Sequence, residues 1–157
     1  MVYCKNIIKK LFIGLIILGT YSGTVFALSV PDRIELKTII KNQDYKAAEQ
    51  KLLQIVESTP NDLEALNYLA TIYSWDNQFE LAKTYFQKVI DQNTNDLEAN
   101  LGLAKVYSWQ GNFSHALNIL KSIEPFYPNN TDILLLKGKI SRWNQELQPA
   151  QAYLNRG

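Results

Sequence analysis

Asn61-Asp62-Leu63-Glu64-Ala65-Leu66-Asn67-Tyr68-Leu69-Ala70-Thr71-Ile72-Tyr73-Ser74-Trp75 decides the fold, because it returns. Asn95-Asp96-Leu97-Glu98-Ala99 repeats its start, and Val106-Tyr107-Ser108-Trp109 repeats its end, at a constant interval of 34 residues. Ile140-Ser141-Arg142-Trp143 is a looser third copy, so Trp75, Trp109 and Trp143 are evenly spaced. Phe79, Phe113 and Leu147 share a phase, as do Ala82, Ala116 and Ala150. Backward, Tyr45, Ala48 and Leu52 fill the slots of Phe79, Ala82 and Phe86. Pro60 and Pro128 share another phase, with Thr94 between them.

Within the stretch, Leu66, Leu69, Ala70 and Tyr73 are spaced i, i+3, i+4, i+7, which makes one apolar stripe on a helix. Ala70 against Ala82, and Ala104 against Ala116, let paired helices approach closely. The Asn-Asp pairs at 61–62 and 95–96 are suited to accept hydrogen bonds from free N–H groups at a helix start. Gly111 and Asp76-Asn77 suit tight turns. The pattern predicts helices near 30–41, 44–57, 62–75, 79–92, 96–109, 113–124, 131–143 and 147–155, with neighbours antiparallel.

A 34-residue period with these residues resembles the tetratricopeptide-repeat (TPR) family, whose helix–turn–helix units stack into a solenoid. Leu66, Leu69, Ala70, Tyr73, Ala82 and Phe86 match the family's signature slots in the second unit. Leu103, Ala104, Tyr107, Ala116, Leu120 and Pro128 do so in the third, where Asn100 replaces the first large apolar residue. The first unit keeps Ala48, Leu52 and Pro60. The fourth keeps Leu134, Gly138, Ala150 and Leu154, with Lys137 and Ser141 where Leu and Tyr are usual. The expected architecture is an all-α solenoid of antiparallel helix pairs, about 3.5–4 repeats. Its units lie near 29–60, 61–94, 95–128 and 129–157, in a domain spanning 28–157.

Residues 1–27 read as a signal peptide. Lys5, Lys9 and Lys10 precede the apolar run 11–19, and Val25-Phe26-Ala27 suits a signal peptidase that cuts after Ala27. The run is far shorter than the roughly 20 residues of a spanning helix. Export to the periplasm or outside is expected; the alternative is an uncleaved anchor in the inner membrane. Sixteen Lys and Arg against fifteen Asp and Glu give no field that recommends nucleic acid. Cys4 is the only cysteine and precedes the apolar run, so it is not placed like a lipoprotein's modified residue. A zinc site needs three or four ligands. His115 is the sole histidine, and no cluster supplies the rest. Neither a nucleophile elbow nor a phosphate-binding glycine loop occurs. An enzyme and a cofactor are not expected.

A helix turns about 100° per residue, so Trp75 lies opposite Leu66, off the core stripe, with Asn67 and Thr71 near it and Glu64 beside them. The matching set in the next unit is Glu98, Leu101, Lys105, Ser108 and Trp109, and in the last Asp132, Leu135, Lys139, Arg142 and Trp143. In the TPR family this face lines the concave groove, so the resemblance implies a partner there. The tryptophans have two roles open to them. They can close the seam by packing on the next unit and on Phe79 or Phe113, or they can offer flat faces to sugars, prolines or aromatics. Lys105, Lys139 and Arg142 suit a peptide carboxylate or an acidic sugar.

Residues 107–113 also resemble repeats of bacterial envelope proteins, including TPR segments ahead of outer-membrane β-barrels in exopolysaccharide export. Two functions follow as expectations. One is an exported scaffold binding a protein or peptide segment in the cell envelope. The other is a carbohydrate-binding accessory of polysaccharide export, or a remnant of a larger TPR–barrel protein. The fourth unit's second helix is short, which suggests self-association through that end.

Overall fold

The computed structural model describes residues 30–154, with side chains from 34 to 145. The leader, the cleavage point after Ala27, and the side chains of Ala150 and Leu154 lie outside the described residues. Among the described residues seven α-helices and one 3-10 turn follow one another without a strand: α1 Val30–Lys41, α2 Tyr45–Ser58, α3 Leu63–Trp75, α4 Phe79–Gln92, α5 Leu97–Trp109, α6 Phe113–Ile123, the 3-10 turn Glu124–Phe126, and α7 Thr131–Leu154. Helices α1/α2, α3/α4 and α5/α6 pair, and the first helices α3 and α5 also touch each other directly. The array is an α-solenoid.

The same local chemistry builds each pair. Asp44, Asp62 and Asp96 accept a hydrogen bond from the backbone N–H three residues on, at Ala47, Ala65 and Ala99, which satisfies a donor the helix start would otherwise leave open. Asn130 takes this role for α7, accepting from Asp132 and Ile133. Between paired helices, Gln43, Asn77 and Gly111 all adopt positive φ. The next residue's N–H then reaches back to the carbonyl of Ile39, Tyr73 or Tyr107. This is a left-handed helix stop that satisfies the last carbonyls and reverses the chain.

The expected stripe is buried. Leu66, Leu69, Ala70 and Tyr73 pack with Leu36, Ala48, Leu52, Ala82, Phe86, Val89, Leu103 and Val106. A second cluster joins Leu101, Ala104, Ala116, Leu120 and Ile123 to Ile133, Leu136 and Ile140. Half-buried Tyr107 packs against both clusters. Full burial of such aliphatic side chains stabilises by about 1.5–3 kcal/mol each. Asn100, out of pattern in the sequence, is buried and donates to the carbonyls of Thr94 and Asp96. It ties down the turn where its neighbouring units carry proline.

The fourth unit departs from expectation. One helix, α7, runs through the turn expected between 143 and 147. Gln145 occupies the slot of Gln43, Asn77 and Gly111, yet it lies inside the helix. Among the described residues no second helix folds back over α7, and Leu134, placed on the core stripe by phase, is exposed. The buried face is instead Ile133, Leu136 and Ile140, which meets α5 and α6. Lys137 stands where Leu69 and Leu103 stand in earlier units. Its Nζ is held by both oxygens of Glu124, at 2.9 and 2.8 Å.

Candidate functional site

Because α3 and α5 run side by side, their outer faces form the walls of a cleft of about 290 Å³. Glu64, Asn67, Thr71 and Trp75 from α3 line it, together with Glu98, Leu101 and Lys105 from α5. Tyr68, Gly102 and the ring of Phe86 complete its inner surface. The structure thus gathers half of the residues that helical arithmetic assigned to the groove face, all of them from α3 and α5. Trp109, Lys139, Arg142 and Trp143 do not line this cleft. Lys139 and Arg142 are exposed on α7, while Trp143 is half-buried against the second core cluster. The tryptophans do not form a uniform exposed ladder.

The indoles of the first two units are both packed and open. Trp75 is 51% exposed and Trp109 46%. Trp75 meets the Tyr45 ring at 5.2 Å between centroids, and Trp109 meets Phe79 at 6.2 Å. Each therefore packs on the turn aromatic of the preceding unit, not on that of its own pair. The seam role runs backward along the chain relative to expectation, and the outer half of each ring stays available. Trp75 also walls a second cleft, of about 370 Å³, shared with Tyr45, Lys46, Glu49 and Tyr73.

Hydrogen bonding inside the first cleft is unusually one-sided. Thr71 Oγ1 donates to the carbonyl of Asn67, and Ser74 Oγ to that of Thr71. Asn67, only 8% exposed, donates Nδ2 to Asp96 Oδ1 at 3.2 Å. Its Oδ1 is buried and has no hydrogen-bond partner. Asp96 Oδ1 is also the cap for Ala99 N–H, so the amide cannot be turned over without setting two acceptors against each other. Ser108, assigned to the groove face by phase, is buried with its hydroxyl on the carbonyl of Lys105. Leu101 is shared between the cleft wall and the second core.

Gly102 is a site residue that the periodicity did not flag. A Cβ there would lie 2.2 Å from Phe86 Cζ, so the missing side chain is what lets the ring reach the cleft. The hydroxyl of Tyr73, at the second cleft, donates to Glu49 Oε1 at 2.9 Å, and burial together with that carboxylate pushes its phenol well above the usual tyrosine range. His115 lies against the Tyr107 ring at 4.4 Å, a packing contact. Among the described residues no group of three His, Cys, Asp or Glu is arranged to hold a metal, and no helix is long and apolar enough to cross a membrane.

Comparison with known proteins agrees with this geometry. Residues 76–140 match the family model described as tetratricopeptide repeat. Among solved structures, the second TPR domain of human RPAP3, in complex with the HSP70 peptide SGPTIEEVD, superposes with a TM-score of 0.63 at 14% identity, covering 69% of this chain and 91% of that one. The TPR2B domain of yeast Sti1, in a complex with pHsp70, gives 0.63 at 20% identity, covering 71% and 94%. MamA from MSR-1 gives 0.58 at 17% identity over 71% and 66%. No curated protein matches the chain in sequence. The repeat, the stacked helix pairs and these likenesses agree: residues 76–140 match the tetratricopeptide-repeat model, and the described residues have the fold of a TPR solenoid.

Proposed function

We propose that the chain is an interaction scaffold that holds a segment of a partner protein in the cleft between α3 and α5. The observation that carries this is the cleft itself, whose wall holds a half-exposed indole beside a buried, unmatched amide oxygen. The open face of that indole offers an apolar platform on which a side chain of a bound segment can rest. Two similar solved domains are complexes with an HSP70 peptide and with pHsp70, which supports the reading by analogy of fold. The leader read at residues 1–27 extends it to the bacterial envelope, as a periplasmic or secreted adaptor.

The test is site-directed photocrosslinking. A benzophenone side chain at Thr71 should trap a protein partner from envelope extracts. The same group at Thr84, exposed on α4, should not. Equal labelling from both positions, or none from Thr71, would remove the proposal. A second reading, carbohydrate binding, is favoured by the open halves of Trp75 and Trp109. Under that reading tryptophan fluorescence responds to acidic oligosaccharides and the crosslinker finds no protein.

A further inference from the structure

We infer that the α3–α5 cleft selects a basic peptide segment, receiving an arginine or lysine side chain beside Trp75, Thr71 and Glu98. This rests on the cleft being the partner site, as proposed above, and adds the chemistry of what it accepts.

The case is a count of donors against acceptors. The hydroxyls of Thr71 and Ser74 have spent their hydrogens on carbonyls of their own helix, leaving only lone pairs. The Asn67 amide has committed a hydrogen to Asp96 and keeps a bare acceptor, Oδ1, in a side chain more than nine-tenths buried. Glu98 stands on the facing helix, and Glu64 lines the same cleft. Lys105 is the single cation among the lining residues, so carboxylates outnumber it. A ligand rich in acceptors would face those hydroxyl lone pairs and the Glu98 carboxylate. A ligand rich in N–H donors meets those lone pairs and pairs with Glu98 in charge-assisted bonds. The open face of Trp75 adds a platform on which a guanidinium stacks. The peptide in the human RPAP3 complex, SGPTIEEVD, is acidic; the present cleft is built for the opposite charge.

The experiment pans a library of random ten-residue peptides against the full chain and against the Glu98→Lys variant. Glu98 is exposed, so the variant should fold, which its helical circular dichroism will check. The expected result is a bound pool enriched in arginine or lysine for the wild type. Individual selected peptides should bind the variant about tenfold more weakly, the loss of one charge-assisted contact. A wild-type pool enriched in aspartate and glutamate overturns this inference while leaving the peptide groove in place. Basic enrichment that survives Glu98→Lys also overturns it, since the cations would then be bound elsewhere. Failure to enrich any sequence overturns the groove itself.

Discussion

Asn67 and Asp96, in consecutive repeats, meet through one hydrogen bond of 3.2 Å, and the Asp96 oxygen that accepts it also caps the start of α5. A single carboxylate thus joins two units and orients an amide in the cleft. Asp96→Ala removes the cap, costing about 1 kcal/mol, and strands a buried amide donor, costing roughly 1–3 kcal/mol more. Asp44→Ala removes a cap alone. Urea denaturation should show Asp96→Ala to be clearly the more damaging; equal losses would mean that the Asn67 contact contributes nothing.

Gly102→Ala places a methyl group into the Phe86 ring. Alanine is the better helix former by about 1 kcal/mol, yet overpacking a tight contact costs roughly 1–3 kcal/mol. The net expectation is a mild destabilisation, together with a displaced ring at the cleft. A variant more stable than wild type in thermal melts would show that the ring moves aside freely.

Tyr73 should be the last tyrosine to ionise. Its folded-state pKa is raised by burial and by Glu49, so the stability it contributes is complete below the unfolded tyrosine value of about 10. That contribution is lost as pH rises beyond 10 towards the folded value. Absorbance titration near 295 nm should lose a late step in Tyr73→Phe. The variant should also be less stable at neutral pH by about 1 kcal/mol, one hydrogen bond. An unchanged titration curve would contradict the assignment.

Trp75→Ala removes an aromatic pair worth about 0.5–1.5 kcal/mol beyond its buried area. Because the partner is Tyr45, the loosening should appear in α2. Hydrogen exchange should quicken there and leave α6 unaffected. Faster exchange confined to α4 would mean that the indole serves its own unit instead.

Helix positions were legible in the sequence to about one residue from α1 through α5, because capping aspartates and turn residues recur with the hydrophobic stripe. The cleft set of Asn67, Thr71, Trp75, Leu101 and Lys105 was legible because angular position on a helix follows from counting. Three things were not. The partners of Trp75 and Trp109 depend on which of two turns at the same end of the stack lies nearer, and periodicity treats both alike. Gly102 matters through the depth of Phe86, a contact between units that no single-helix pattern contains. The turn expected near 145 rested on phase alone, and Gln145 has no intrinsic preference for the left-handed backbone that the reversal needs. Gln43 adopts that backbone where α1 and α2 pack together; among the described residues α7 has no such second helix laid against it.

The pairing of each indole with the ring one unit back has a geometric consequence. At that end of the stack, ring thickness sets how far neighbouring units stand apart, like shims between the staves of a barrel. A smaller ring there would let adjacent units lean together, and the tilt would add up from unit to unit. The curvature of the inner surface can therefore be retuned from Tyr45 and Phe79 at its rim, with the residues that line the α3–α5 cleft left unchanged.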